Sequence, residues 1–172
     1  MEKALAHISE DGTRTQTVYE HLSGTARLAG AFAAPFGAKE EAEYAAWLHD
    51  IGKYSAAFQQ RLAGGAATDH STAGAQEAMK GCAPHVQAAF AVAGHHTGLP
   101  DGGNRRTADA ADATLFGRLK KRWSLTMAGA KSPCPRAPRR TGQTATHWIL
   151  HSLPGCSTPV LWMRILSTPK LL

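Results

Sequence analysis

The sequence predicts an all-α domain, a bundle of roughly five to seven helices over residues 1–121, followed by an irregular basic tail over 122–172. Three observations carry that expectation. Apolar residues in the first part recur at spacings of three and four, glycines fall where those runs stop, and no segment of useful length alternates as a half-buried strand should. From Val18 the apolar positions run Val18, Leu22, Ala26, Ala29, Phe32 and Phe36, one face of a helix. Gly37 stops it, because glycine takes the left-handed cap conformation without strain. A second helix carries Glu40, Glu41 and Glu43 early, where carboxylates meet the positive end of the dipole. Its buried face is Ala42, Ala45, Leu48 and Ile51, and Gly52 ends it. Ser55 to Leu62 reads as a short helix closed by Gly64 and Gly65. Asp69 or Ser71 then caps another, and Pro84 opens a helix whose inner face is Val86, Ala89, Phe90 and Ala93. Residues 98–104 form a loop by composition, and Asp109 to Lys121 returns to helix with Leu115 and Leu119 inward.

The content of hydrophobic residues, 43%, against 19% charged, suits a packed core and argues against wholesale disorder. No apolar run approaches the roughly 18 residues of a membrane span, and MEKALAHISEDG does not read as a signal peptide. Cys82, Cys134 and Cys156 are too few and too scattered for a disulfide framework or a zinc cage. The expectation is a cytoplasmic protein with no membrane partner.

A net charge of +6 would ordinarily point to nucleic acid, but its distribution spoils that inference. Residues 1–121 hold 12 Lys and Arg against 13 Asp and Glu, a net −1. Residues 122–172 hold 7 Lys and Arg and no carboxylate side chain. Six of the nine prolines and three of the four tryptophans also lie there, without period or repeat, which leaves little room for a full helix. A basic DNA-binding tail is therefore a weak reading.

The chemistry concentrates in the first part. His21, the pair His49–Asp50, His70 and the pair His95–His96 each fall on a predicted helix or at its end. Singly, each has a bland explanation: a surface or core histidine, an imidazolium at a helix C-terminus, or a neighbour of a cap. Together they have the form of a metal site inside a bundle, with ligands from separate helices converging on one cavity. So many imidazoles favour Mn, Fe, Co, Ni or Zn over Ca.

The surrounding segments EHLSGTARLAGAFAAPFG, AAWLHDIGKYSAAFQQRL, DHSTAGAQEA and AVAGHHTGLPDGG resemble, in order and spacing, the HD nuclease domain of the CRISPR-associated helicase-nuclease of type I systems. Leu-His-Asp-Ile-Gly-Lys is the mark of the wider HD phosphohydrolase superfamily; Gly-His-His-Thr-Gly-Leu-Pro-Asp-Gly narrows the resemblance to the nucleases. It covers about residues 1–121. It implies that His21, His49, Asp50, His70, His95 and His96 are metal ligands, with Asp50 bridging two divalent ions (Mn, Co, Ni, Fe or Mg). It also makes Asp50 and Lys53 the catalytic candidates. His7 matches an early family histidine that is not expected to be a ligand. Two such ions clamp a phosphodiester and activate a water. Lys53 could neutralise a phosphate oxygen or be a solvated helix-end lysine, and Arg105 and Arg106, after the Gly-rich loop, could contact the DNA backbone. The implied substrate is single-stranded DNA, and the implied partners are a CRISPR helicase module and an RNA-guided surveillance complex.

The resemblance also shows a gap. The family supplies a final aspartate to the metal site after the Arg-Leu-Lys-Lys helix, and residues 122–172 contain none. The tail reads as a frameshifted translation of that segment. Trp162–Met163 must be encoded TGG ATG, and reading from the third base yields GAT, an aspartate, with no codon freedom. The rivals are a nucleotide phosphohydrolase of the wider superfamily and a non-catalytic metal-binding remnant.

Overall fold

The computed structural model describes residues 4–80 and 84–122. The three cysteines and the tail beyond Arg122, with its frameshift reading, lie outside the described residues.

The bundle is helical, with a small hairpin at its start. Strand β1 (Leu5–Ile8) pairs antiparallel with β2 (Thr15–Thr17), an element that the sequence reading did not foresee. Its register shifts between Leu5 and His7, so one extra residue bulges from β1. Ala6 goes into the core while His7 stays half-buried. Seven strand residues interrupted by a bulge leave no alternation to read.

Helix α1 (Val18–Ala33) begins on a reciprocal cap: Glu20 N–H donates to the Thr17 hydroxyl, and Thr17 N–H donates to the Glu20 carboxylate. Val18, Leu22, Ala26 and Ala29 are buried as expected. Phe32 and Phe36 are exposed, and Ala33 takes the inner position instead. The first five apolar residues fit more than one helical stripe, and the face toward α2 is the one drawn through Gly30 and Ala33. Pro35 lies in a 3-10 turn, and Gly37 closes it at φ 73°.

Helix α2 (Lys39–Leu48) ends four residues before Gly52, and a 3-10 turn, Ile51–Tyr54, follows. Gly52 serves close approach: a Cβ there would overlap the His70 carbonyl oxygen. Helix α3 (Ala56–Leu62) is capped by the Ser55 hydroxyl. Helix α4 (Ser71–Ala78) has His70 at its cap position, but it is the Asp69 carboxylate that accepts from Thr72 N–H, at 3.1 Å.

Helix α5 (Val86–Gly94) begins after His85, so Pro84 precedes the cap rather than occupying the first turn. Helix α6 (Leu115–Lys120) is shorter than the sequence suggests: Asp109 to Thr114 are turns, and the Thr114 hydroxyl caps it. Gln76 on α4 donates to the carbonyls of Arg118 and Lys121, satisfying the end of α6.

Helix α1 lies along α2, and α4 along α5, with α2 joining the pairs. Leu22, Leu48, Val92 and Leu115 fill the main core, and a second core between α1 and α2 is made of alanines. Small side chains let these helices come close, which brings the ends of α2 and α5 to one point.

Candidate metal centre

Two helices end in histidine in the same way. His49 follows α2 and donates Nδ1–H to the Ala46 carbonyl at 2.6 Å; His95 follows α5 and donates Nδ1–H to the Val92 carbonyl at 2.7 Å. Each bond satisfies a helix-end carbonyl and fixes the tautomer, leaving Nε2 with its lone pair turned inward. Both rings are buried.

The two Nε2 atoms meet at Asp50. This carboxylate is 3% exposed, in the turn between α2 and the 3-10 turn Ile51–Tyr54, and its two oxygens face different groups. Oδ2 is 2.9 Å from His21 Nε2, 3.3 Å from His49 Nε2 and 2.8 Å from Lys53 Nζ. Oδ1 is 3.2 Å from His70 Nε2 and 3.3 Å from His95 Nε2. His70 Nε2 is in turn 2.8 Å from His96 Nε2.

The Oδ1 side is the informative one. Both nitrogens are near Oδ1, but neither is aligned as a donor, and Oδ1 is buried without a hydrogen bond among the described residues. A lone pair facing a carboxylate is repulsive unless a cation lies between them. Asp50, His70, His95 and His96 offer donor atoms that all fall within 4.8 Å of one another. That donor set fits a divalent transition ion.

The family model of the HD domain matches residues 18–125, well over half of the chain. The chain belongs to the HD domain family. The matched span includes His49 and Asp50, and the family suggests a metal-dependent phosphohydrolase. No curated protein and no solved structure gives a significant match.

The electrostatics of this HD domain suit a metal. Burial by itself would push the Asp50 carboxyl up, but the His49 imidazole and the close nitrogens of His21, His49 and His70 outweigh it and hold Asp50 well below the usual carboxylate range. Burial pushes His21 down, against the opposing pull of Asp50. His96 falls to about 4, first by desolvation and then by repulsion from His95 and His70. One edge of His96 is exposed, yet its ring stands 4.0 Å from that of His95 and its Nε2 faces His70, so the nitrogen is desolvated although the residue is not. The lowered His21 and His96 favour neutral imidazoles beside an ionised carboxylate, the protonation states that a metal ion requires.

All six histidine and aspartate candidates thus come together around one carboxylate. Lys53 joins them: it is 4% exposed and paired with Asp50, where the sequence left open a solvated lysine. Arg105 and Arg106 stand elsewhere, exposed in a turn whose backbone is held by Asn104 Oδ1. The residue that sequence reasoning passed over is His7. Its Nε2 is 3.1 Å from Lys53 Nζ, its ring packs edge-on against His21, and with His21 and Asp50 it forms a second group of metal-type donors. Its position as the early histidine of Ala-His-Ile-Ser was the available signal. Among the described residues, no helix is long and apolar enough to cross a membrane.

Proposed function

We propose that this HD domain is a metal-dependent nuclease that hydrolyses phosphodiester bonds of single-stranded DNA in a type I CRISPR antiviral system. The observation that carries the metal chemistry is the buried Asp50 carboxylate with four imidazole Nε2 atoms within 3.3 Å, one oxygen lacking any hydrogen bond among the described residues. The segment Gly-His-His-Thr-Gly-Leu-Pro-Asp-Gly supports the DNA substrate through its likeness to the nucleases. It also supports the partners, a helicase module and an RNA-guided surveillance complex.

In this reading Asp50, His70, His95 and His96 would hold one divalent ion, and Asp50 with His21 and His49 would hold a second. Divalent ions bound there would supply positive charge to a phosphate oxygen and lower the pKa of a water that could act as nucleophile. The chain's own residues do the rest. The Nδ1–H bonds of His49 and His95 keep both rings oriented, and buried alanines around the site exclude bulk water. Lys53 offers an ammonium to a phosphate oxygen, and Arg105 and Arg106 offer a sequence-independent grip on the DNA backbone.

Residues 122–172, read as a frameshift product, deprive the Oδ2 side of a last aspartate, so activity is expected to be reduced. Gene sequencing tests this part: codons that cannot encode the alternative frame would rule it out. The activity is tested with single-stranded oligonucleotides and mononucleotides in Mn²⁺, Co²⁺ or Ni²⁺. Cleavage of the oligonucleotide that Asp50→Ala abolishes is the expected result. Hydrolysis of mononucleotides alone would make this a nucleotide phosphohydrolase, and no hydrolysis of either a metal-binding remnant.

A further inference from the structure

A lysine ammonium has three N–H donors and no lone pair, so any group that hydrogen-bonds to it must accept. The buried Lys53 Nζ gives one donor to Asp50 Oδ2 at 2.8 Å and a second to His7 Nε2 at 3.1 Å. The second contact fixes the state of His7: Nε2 is the lone-pair nitrogen, and the ring proton sits on Nδ1. The Phe58 ring closes another side of the ammonium, its centroid 5.5 Å from Nζ. Two acceptors and an aromatic wall thus hold the direction of Nζ. Among the described residues no third acceptor meets it, so one N–H is left for another group.

We propose that His7 is a positioning residue of the hydrolytic centre: its Nε2 lone pair holds the Lys53 ammonium so that the remaining N–H meets the substrate phosphate. This rests on the reading that the Asp50 centre hydrolyses a phosphodiester, and deepens it by naming what aims its lysine. A lysine stem is long and flexible, and one ion pair alone leaves the ammonium free to pivot about Asp50 Oδ2. A second acceptor at a fixed point removes that pivot. The charge is then in place before the phosphate arrives, and no reorganisation is needed during the reaction.

The fold fixes His7 relative to this lysine. Gln59 on α3 accepts from Leu5 N–H at 3.0 Å and donates to the carbonyls of Leu5 and Lys53 at 2.9 and 2.7 Å. One side chain therefore ties β1 to the turn that carries Lys53. Val18 N–H donates to the Ala4 carbonyl at 2.9 Å, which anchors the same strand to the start of α1. The bulge at Ala6 lets two successive residues point inward, Ala6 to the core and His7 to Lys53. The His7 ring also packs edge-on against His21, with centroids 4.9 Å apart, which limits its rotation. His7 lies outside the span of the family match, so the hairpin supplies a group that the matched segment does not hold.

The test has two arms, both on the full-length chain. In the metal-free protein, with its lysines isotope-labelled at nitrogen, NMR reads the Lys53 ammonium directly, because hydrogen-bonded ammonium protons exchange slowly with water. The Lys53 signal is identified by its loss in Lys53→Met, or in Lys53→Gln should the former lose the helical circular dichroism. It is expected in the wild type and in His7→Gln, whose Oε1 accepts in place of Nε2, and it should vanish in His7→Ala. In the second arm, with Mn²⁺ and a single-stranded oligonucleotide, His7→Ala should lower kcat about tenfold while KM changes less than about twofold. His7→Gln should recover most of that loss. A Lys53 signal unchanged in His7→Ala, or a rate in His7→Gln as low as in His7→Ala, would overturn the proposal. Absence of hydrolysis by the wild type would overturn the nuclease reading instead, and the ammonium signal would still decide whether His7 holds the lysine.

Discussion

Asp50 is the residue on which the site depends, because it is the one buried anion among five histidines and a lysine. Removing it leaves Lys53 buried without its partner, which costs about 3–5 kcal/mol in comparable cases. Asp50→Asn is the cleaner probe, since it keeps the volume and loses the charge. We expect it to lower metal affinity at least ~100-fold, measured by titration, while circular dichroism still shows the folded helices. The site is also acid-sensitive in the metal-free protein. His96 titrates at about 4 in the fold against an ordinary 6.5, and His21 is lowered as well, so the unfolded chain binds protons first as pH falls. Stability is therefore full above pH 6.5 and falls on the way down to 4; below that, protonation of Asp50 removes more. Thermal melts of the metal-free protein should move to lower temperature between pH 7.5 and 5, and a flat profile would contradict the assignment. His49 and His95 show why single histidines could not be judged from sequence. Each caps a helix with Nδ1 and faces the centre with Nε2, so the bland and the functional explanations are both correct.

At the scale of elements, two glycines hold the site together by having no side chain. Gly52 lets the turn carrying Lys53 sit on the backbone of His70, and Gly74 lets α4 press on the last carbonyl of α2, where a Cβ would overlap Leu48 O. Gly74→Ala should destabilise by about 1–3 kcal/mol, since both neighbours are backbone or core and cannot yield. Denaturant titration measures it; a neutral result would mean that α2 and α4 separate easily. Helices α1 to α5 were legible because apolar residues repeat at helical spacing and their ends carry Gly37, Ser55 or Asp69, although Val86 of α5, expected inside, is exposed and Val92 is buried in the core. The hairpin was not legible, because seven strand residues with a bulge carry no period. The start of α6 was misjudged at Asp109, because Asp109 and Asp112 fold a turn of their own and the helix begins only after Thr114.

For the whole molecule, the metal is expected to act as a fold-stabilising ligand. Its donors would come from α1, the end of α2, the start of α4 and the end of α5, so an ion bound there would tie together elements that otherwise meet through small alanine contacts. Mn²⁺ at about 100 times its dissociation constant should add about 2.7 kcal/mol to stability, seen as a higher melting temperature that chelator reverses. Unchanged melting would mean that no ion binds the folded state. The positive charge of the chain takes no part in this. It resides in residues 122–172, and the part that holds the site is slightly acidic.

The sequence by itself determined the helical class, most helix boundaries, and the five histidines and one aspartate of the candidate site with the family they belong to. These follow from local physics: period, caps, and ligand-type residues at recognisable spacing. Only the tertiary structure decided which oxygen of Asp50 faces which nitrogens, that Lys53 is buried against it, and that His7 stands against Lys53. Those facts depend on contacts between residues 46 and 54 positions apart, His7 with Lys53 and Leu5 with Gln59. A chain's local pattern holds no record of such contacts, because packing of the alanine faces and one bulge in β1 create them.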